Sequence, residues 1–306
     1  MEENQQKTER ADKTFSQKFE VAYNKYYKLA LIIPILILIA SLFYLCSFSV
    51  KHGDLINKDI TLTGGTSIQV ESKADINELQ KTLEAKFEEI SIRQISNVIT
   101  GEQVAFIIET SASSEEVIPV LEDYLGIKLT SENSTIEFTG PSLSDSFYNQ
   151  LKFAILLSFI FMAIVVFLIF RSFAPSMAVI FSAFADIVVS IAIVDLLGIK
   201  LSTAGIVSFL MLIGYSVDTD ILLTARVLKR REGEINTRIF DAFKTGITMT
   251  LTSLAVVIIG LFLTSSFSKV FSQVFTILAI GLVIDIMNTW CTNASFLKWY
   301  IGWRKK

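Results

Sequence analysis

The apolar run that contains Asp218 and Asp220 is the part of this sequence whose residue types could do chemistry. It covers about residues 201–223, long enough to cross a bilayer. An ionised Asp at that depth costs at least about 2.5 kcal/mol, so an acid there indicates a function by default. The two positions lie about 200° apart around a helix, and we therefore expect one of them to face inward. Alternatively, both acids mark the inner end of the helix and reach water by snorkelling.

Two other apolar spans each carry an acid of the same kind. Asp186 lies about 16 Å from Pro175 along its helix, too far for snorkelling. Asp285 lies in the last span, at nearly the depth of Asp218. Such acids are expected to face the bundle interior or a partner subunit. Lys244, at the start of the fifth span, is the best basic candidate to approach them, and it is equally well placed to anchor its helix at the cytoplasmic surface.

Other kinds of site have little support in the sequence. Histidine occurs once, as His52, and the two cysteines, Cys46 and Cys291, both lie in apolar spans. This set predicts no hydrolytic triad, disulfide framework, metal site or cofactor, so we do not expect an enzyme. The formal net charge of -3 provides no general attraction to nucleic acid.

The composition predicts a membrane protein. Of 306 residues, 52% are hydrophobic, and the mean hydropathy is +0.54, which is high for a soluble chain. The first apolar run follows about 28 polar residues, so we expect a retained anchor and not a cleaved signal peptide. Spans of the length needed to cross a bilayer are predicted at 29–48, 150–170, 175–197, 201–223, 246–264 and 271–295.

Residues 50–148, between the first two spans, regain charge and alternate in polarity, which predicts one separate domain. We expect strands at 60–70, 92–99, 104–109 and 135–138 and helices at 76–87 and 115–125. The order βαββαβ is that of a ferredoxin-like sandwich. Gly64, Gly65 and Thr66 lack the spacing of a nucleotide-binding loop, so we interpret them as a bulge or a close backbone approach in the first strand.

Lysine and arginine are concentrated in alternate connections, which predicts the orientation. The inside segments are a tail at 1–28, a basic loop at 224–244 and a tail at 299–306, and the domain at 50–148 lies outside. The basic residues between Arg226 and Arg238 are expected on the anionic inner leaflet, so membrane lipids are a predicted partner. The expected fold is thus an α-helical polytopic membrane protein, with a five-helix bundle at 149–298 and an α+β ferredoxin-like extracytoplasmic domain after the first helix.

Several motifs in this order resemble those of the SecD/SecF family of protein-export membrane proteins, within the resistance–nodulation–division (RND) superfamily. The likeness covers nearly the whole chain and is closest to its SecF branch in archaeal form. Its most telling element begins at Gly214 and places Arg226 eight residues after Asp218. The motifs are DITLTGGT at 59–66, GPSL at 140–143, DIVV at 186–189 and GYSVD at 214–218.

The resemblance implies a subunit that pairs with a SecD-like chain, associates with a SecYEG-type channel and uses the proton motive force to move preproteins across the cell membrane. In that family an acid of the fourth span and a basic residue at the start of the fifth are assigned to proton coupling. The matching positions here are Asp218 or Asp220 and, one residue out of register, Lys244. The spacing to Gly214 and Arg226 favours Asp218. The alternative function is half of an RND-type exporter of small molecules or lipids.

Overall fold

The structure, a computed structural model, describes residues 2–87, 90–96, 100–229, 234–265 and 268–304, with side chains at Tyr23 and from Tyr26 onward. A π-helical turn, Asn288–Asn293, joins the last two helices. In chain order the other elements are α1 (Glu2–His52), α2 (Ile60–Thr63), β1 (Gly65–Val70), α3 (Ile76–Glu84), β2 (Ile90–Ser96), β3 (Gln103–Thr110), α4 (Ser114–Leu125), β4 (Ser134–Thr139), α5 (Pro141–Phe170), α6 (Phe173–Leu196), α7 (Thr203–Lys229), α8 (Ile235–Thr264), α9 (Lys269–Met287) and α10 (Ala294–Arg304).

Six helical segments in the described part of the chain are long and apolar enough to cross a membrane, which confirms the predicted number. Several of these helices are longer than the sequence predicted. The segment 1–28 is helical from Glu2 and continuous with the first span. Helix α7 continues to Lys229 and α8 begins at Ile235, so the described residues of the predicted loop at 224–244 lie almost entirely in these two helices. Arg230 and Arg231 lie outside the described residues.

Between the first two spans lies a four-stranded antiparallel sheet with the strand order β2-β3-β1-β4. Helices α3 and α4 bury their apolar sides on one face of the sheet, against Ile68, Val70, Phe106 and Ile108. The element order βαββαβ is the one expected from the sequence. One prediction is wrong: residues 60–63 form a helical turn that precedes the first strand. The side chain of Asp59 caps this turn by accepting a hydrogen bond from the Ile60 amide.

At Gly64 and Gly65 the backbone lies very close to the backbone of Pro141 and Thr110, respectively. Gly64 has a φ of +88°, and a Cβ on it would lie 2.7 Å from the backbone nitrogen of Pro141. Gly65 has a φ of +143°, and a Cβ on it would overlap the carbonyl oxygen of Thr110. These two glycines therefore let the first strand begin beside both β3 and the start of α5.

The membrane helices form one apolar core in which α6 and α7 are central. The α6 sequence supplies many small residues, and most of its length is buried. Helices α5 and α8 leave most of their apolar side chains exposed, as lipid-facing helices do. A polar site shielded from lipid must therefore lie among α6, α7 and the helices that cover them.

We predict that Gly65→Ala lowers the thermal stability of the purified chain in detergent. The added Cβ meets backbone at Thr110, which cannot move as a side chain can, so the loss should be about 2 kcal/mol or more. Gly126→Ala is the matched control, since Gly126 has a φ of +66° with nothing within 4 Å of its Cβ position. That change should cost only about 1 kcal/mol. Equal losses in the two variants would contradict the close approach at Gly65.

Candidate functional site

Three membrane helices bring Asp186, Asp220 and Asp285 together inside the bundle; we call these residues the acid cluster. They come from α6, α7 and α9, and each side chain is at most 1% exposed. Helices α6 and α9, which pack against α7, thus contribute one carboxylate each. The sequence predicted that one of the two acids of α7 faces inward and that Asp186 and Asp285 face either the bundle interior or a partner subunit, and the structure places both in the interior.

Asp186 and Asp285 are held by hydroxyl and amide donors from neighbouring helices. The Asp186 carboxylate accepts hydrogen bonds from the Ser216 hydroxyl on α7 and from Asn288 Nδ2, the latter at 2.6 Å. Asp285 accepts from the Thr219 hydroxyl at 3.1 Å and from the Thr289 hydroxyl at 3.1 Å. Ser216 and Thr219 lie one turn apart on α7, so this helix bridges the two acids.

Asp220 is held by the π-helical turn that follows α9. Asn293 Nδ2 donates to Asp220 Oδ1 at 2.8 Å, while Oδ2 has no hydrogen-bond partner among the described residues. In a π-helix, residues five apart lie on the same side, so the turn can direct both Asn288 and Asn293 toward the cluster. Such turns are frequently found at functional sites.

The acid cluster has no basic partner within the described ranges. Its hydrogen bonds all come from Ser, Thr and Asn side chains, and neither Lys, Arg nor His pairs with any of the three carboxylates. Three charges of one sign in a bilayer interior would repel one another strongly. The cluster can therefore exist only with fewer than three negative charges or with a bound cation.

The structure reverses the preference for Asp218 as the inward-facing acid of α7. Asp220 is fully buried in the cluster, whereas Asp218 is exposed and makes no hydrogen bond or ion pair with the described residues. As expected for residues two apart on a helix, one of the two positions is buried and the other is exposed. The motif spacing to Gly214 and Arg226 could not identify the inward face, because it fixes a position along the helix and not a direction around it.

The other predicted site residues lie away from the acid cluster. Lys244 is exposed, with its ammonium 5.9 Å from the ring centre of Phe240, and forms no ion pair with the acids. A Cβ on Gly214 would find open space on the exposed side of α7. Arg226 donates to the carbonyl oxygen of Asp241 at 2.6 Å. This guanidinium therefore ties α7 to α8.

Sequence reasoning missed the polar residues that hold the carboxylates. Asn288, Thr289 and Asn293 lie in an otherwise apolar span just after Asp285, close to one helical face. Polar side chains at this spacing in a membrane span were a signal that could have been used. Their π-helical turn could not be predicted from the sequence.

A second cluster of polar residues joins the sheet domain to the end of the bundle beneath it. Lys269, the first residue of α9, pairs with Asp59 at 3.0 Å and with Glu109 of β3. The two carboxylates are only 2% and 5% exposed, and the lysine side chain is 21% exposed. We call these three residues the domain clamp. Since both acids are buried, the lysine supplies charge that they need.

Hydrogen bonds beside the domain clamp fix the same junction. Gln273, one turn into α9, donates to the carbonyl oxygen of Lys200 at 2.6 Å and accepts from Ser202. The Asp59 amide donates to the Leu201 carbonyl at 2.8 Å. The short connection between α6 and α7 is therefore bonded both to α9 and to the sheet domain.

The linker after α1 is attached to α5 by a hydrogen bond from Tyr148 to a carboxylate that is ion-paired within the linker. The Tyr148 hydroxyl donates to Asp54 at 2.6 Å, and Lys58 lies 3.1 Å from the same carboxylate. Burial alone would raise the pKa of Asp54, but the donors Tyr148, Lys58 and the Leu55 amide together lower it. Asp54 is therefore a charged anchor of this junction at neutral pH.

Helix α9 contributes residues to both the acid cluster and the domain clamp. Lys269 and Gln273 lie at the end beside the sheet domain, and Asp285 lies in the acid cluster. Sixteen residues separate Lys269 from Asp285, about 24 Å at 1.5 Å per residue. A movement of α9 along or around its axis would therefore act on the acid cluster and on the domain clamp at the same time.

Comparison with known proteins gives a consistent family relationship. The model of the family "Protein export membrane protein SecD/SecF, C-terminal" matches residues 122–303. The protein-export membrane protein SecF of Methanothermobacter thermautotrophicus is 40% identical over 252 residues, covering 80% of this chain and 85% of that protein. SecF of Methanocaldococcus jannaschii is 37% identical, covering 90% of this chain and 96% of that protein.

Two solved structures share the fold. The crystal structure of SecDF, a translocon-associated membrane protein from Thermus thermophilus, superposes with a TM-score of 0.73 at 19% identity. The super-membrane-facing form of SecDF gives a TM-score of 0.61, also at 19% identity. Each match covers 92% of this chain. The chain spans 38% of the first solved SecDF chain and 39% of the second.

We predict that Lys269→Met weakens the attachment of the sheet domain to the bundle. The change leaves Asp59 and Glu109 without their cation, and loss of one partner from a buried ion pair costs about 3 kcal/mol. Thermal unfolding and limited proteolysis of the purified chain measure the effect. Lys128→Met, at an exposed lysine of the same domain, should change neither.

Neutralising the two acids tests the cause of that loss. Adding Asp59→Asn and Glu109→Gln to Lys269→Met should restore part of the lost stability, because the uncompensated charges are then gone. A Lys269→Met variant as stable as Lys128→Met would show that the domain clamp does not hold the domain.

Proposed function

Because the chain belongs to the SecF proteins of the SecD/SecF protein-export family, we propose that it is the SecF-like subunit of a SecD–SecF complex that promotes preprotein translocation across the cell membrane. This is a transport family and not an enzyme family. The chain accordingly assists a SecYEG-type channel and needs a SecD-like partner. The observation that carries the mechanism is the acid cluster without a basic partner.

The acid cluster is the site at which the proton motive force acts. Neutral carboxyl groups are far cheaper in the membrane interior than ionised ones, so protons are suitable charge carriers for the three acids. One charge moved through 100 mV corresponds to about 2.3 kcal/mol, enough to shift a two-state equilibrium by tens of fold. Each proton that binds or leaves changes which of the Ser, Thr and Asn donors the carboxylates can use.

Helix α9 transmits this change to the sheet domain. Asp285 is bonded to α7 through Thr219, and at its other end α9 is bonded to the domain through Lys269. A changed hydrogen-bond pattern at Asp285 therefore moves a helix whose start is fixed to β3 and to the α2 cap. The expected result is a sheet domain that shifts relative to the membrane as the acid cluster titrates.

The sheet domain lies on the outer side of the membrane, and both termini lie in the cytoplasm. The positive-inside rule supports this orientation, because the ends of α7 and α8 remote from the sheet domain carry Arg226, Lys229, Arg238 and Lys244. These residues and anionic lipid headgroups attract one another. The strand order β2-β3-β1-β4 with both helices on one face supports the ferredoxin-like assignment. The architecture corresponds to one half of an RND superfamily protein.

Asp218 serves the partner contact and not the acid cluster. It lies on an exposed stripe of α7, where the other members are Val207, Met211 and Tyr215, at helical spacing, with Gly214 among them. A carboxylate facing lipid is costly, whereas a partner helix can supply it with a donor. Gly214 allows such a helix to approach closely. The SecD-like subunit is the partner that this stripe accommodates.

We predict that Asp285→Asn impairs export without unfolding the chain. The isosteric amide keeps the side-chain volume but cannot exchange a proton, so export of a secreted reporter should fall by about tenfold or more, equivalent to about 1.4 kcal/mol of lost coupling. The residual export should no longer respond to a proton ionophore. Asp123→Asn, at an exposed acid of α4, is the control. Normal, ionophore-sensitive export in Asp285→Asn at normal abundance would remove the acid cluster from the mechanism.

Asp218→Asn should instead weaken the complex. Loss of a buried charge from an interface costs about 2 kcal/mol or more, so recovery of the SecD-like subunit with the tagged chain should fall severalfold in detergent washes. The monodispersity of the isolated chain should be unchanged, because Asp218 is exposed and makes no hydrogen bond or ion pair with the described residues. Full recovery of the partner with this variant would show that Asp218 does not contribute to the interface.

A further inference from the structure

Two short stretches of this chain match the acceptor pattern for N-linked sugars. The pattern is Asn-x-Ser/Thr, where the middle residue is not proline. It is matched by Asn133-Ser134-Thr135 and by Asn293-Ala294-Ser295. The pattern is short, so the structure around each asparagine must tell an acceptor from a chance match. An acceptor has to be exposed and to lie on the outer side of the membrane.

The structure excludes Asn293 as an acceptor. It belongs to the π-helical turn inside the last membrane span, its side chain is 1% exposed, and its amide donates to Asp220. Ser295, the third residue of the match, is also fully buried. An enzyme that transfers sugar cannot reach either side chain.

Asn133 lies in the turn between α4 and β4, on the surface of the sheet domain. Ser131 and Glu132, which precede it, are exposed, and so is Thr135, the third residue of the match. The turn is closed by a hydrogen bond from the Asn133 amide to the Thr130 carbonyl oxygen at 3.1 Å. The acceptor pattern is therefore presented in an exposed turn, which is the usual setting of such a site.

The side chain of Asn133 keeps one amide hydrogen for the modification. Its Oδ1 accepts from the Thr130 amide at 2.8 Å, and its Nδ2 donates to the Lys128 carbonyl oxygen at 2.9 Å. Nδ2 carries two hydrogens, and this is its one hydrogen bond to the described residues. A sugar replaces one hydrogen and leaves the other for Lys128. The turn can thus carry a sugar without losing the bonds that shape it.

The turn is also far along the chain from the membrane helix that follows. Strand β4 runs from Ser134 to Thr139, and only Gly140 separates it from α5. Six strand residues extend about 20 Å. Asn133 therefore lies at the end of β4 remote from α5, and in the orientation proposed above it is on the outer side of the membrane.

The surface beside the turn suits a sugar chain. A depression of about 40 Å³ lies there, and every described residue that lines it is polar and belongs to the sheet domain: Gln69, Glu71, Ser131, Glu132, Ser134 and Thr135. These side chains offer hydrogen-bond partners to sugar hydroxyls. No core residue of the domain has to move to make room.

We propose that Asn133 is an N-glycosylation site, which receives an oligosaccharide from a lipid-linked donor on the outer side of the membrane. Nδ2 attacks the anomeric carbon of the donor sugar and forms the new C–N bond. The bond from that carbon to the lipid phosphate oxygen breaks, the oxygen keeps the electron pair, and Nδ2 releases one proton. The inference rests on the proposed orientation of the domain. The bulky polar chain makes this turn soluble and keeps protein partners away from it.

The test is mass spectrometry of peptides from the full chain, purified from the membranes of the cells in which it naturally occurs. We expect an oligosaccharide mass on the peptide that contains Asn133 and none on the peptides that contain Asn293 or Asn77. Asn77 is the matched control, because it is exposed and lacks the pattern. Thr135→Ala should lower the occupancy of Asn133 at least tenfold, whereas Thr135→Ser, which keeps the hydroxyl, should retain most of it. Both variants leave the hydrogen bonds of Asn133 in place, so the turn should fold normally.

An unmodified Asn133, or a sugar that persists in Thr135→Ala, overturns the proposal. A second measurement then shows whether the orientation fails with it. Ser131→Cys, in a chain with Cys46→Ala and Cys291→Ala, is treated in intact cells with a maleimide that does not cross membranes. Labelling of position 131 together with a bare Asn133 removes the glycosylation site and leaves the outer location of the domain standing. Labelling only after the membrane is disrupted places the domain inside, and both then fail.

Discussion

The constraint on which the rest of this structure depends is the burial of three carboxylates in a helical bundle without a basic side chain beside them. Every ordinary way to stabilise such a group in a membrane, a salt bridge or access to water, is missing among the described contacts of Asp186, Asp220 and Asp285. Hydroxyl and amide hydrogen-bond donors stabilise the three carboxylates instead. These donors tolerate both protonation states of a carboxyl group, since Ser, Thr and Asn can each donate or accept. A lysine or arginine would instead fix the charged state.

The arrangement of the polar groups along α9 gives that constraint a mechanical consequence. The helix begins at Lys269 between two buried acids of the sheet domain and reaches the acid cluster at Asp285. Beyond Gln273 and Thr276 it is apolar, and it packs against α7 and α8. A packed helix moves as a rigid body more readily than it bends. The π-helical turn after Met287 is the one described irregularity in this span, and it lies where Asn288 and Asn293 hold two of the acids.

Length, hydropathy and periodicity predicted the six spans and the order of elements in the sheet domain, because each depends on local pattern alone. They also identified all three acids of the cluster, since a charge in an apolar span is conspicuous. The sequence did not show which side of its helix each acid faces. Asp218 was preferred to Asp220 on motif spacing, yet the inward direction is set by which face of α7 meets α6 and α9. The domain clamp was missed because Asp59, Glu109 and Lys269 are far apart in sequence and ordinary in composition.

The exposed features of the molecule are as informative as its buried ones. Asp218 on α7 and the open edge of β4, which pairs with β1 alone among the described strands, would each be costly if they faced lipid or water alone. One lies in a membrane-spanning helix and the other in the sheet domain, and they are connected through α5, which begins directly after β4 and packs beside α7. Uncovered features of this kind are the places that the proposed contact with a SecD-like subunit would cover. The acid cluster, in contrast, is fully enclosed by this chain's own helices, so no residue of another chain is needed to bury its three carboxylates.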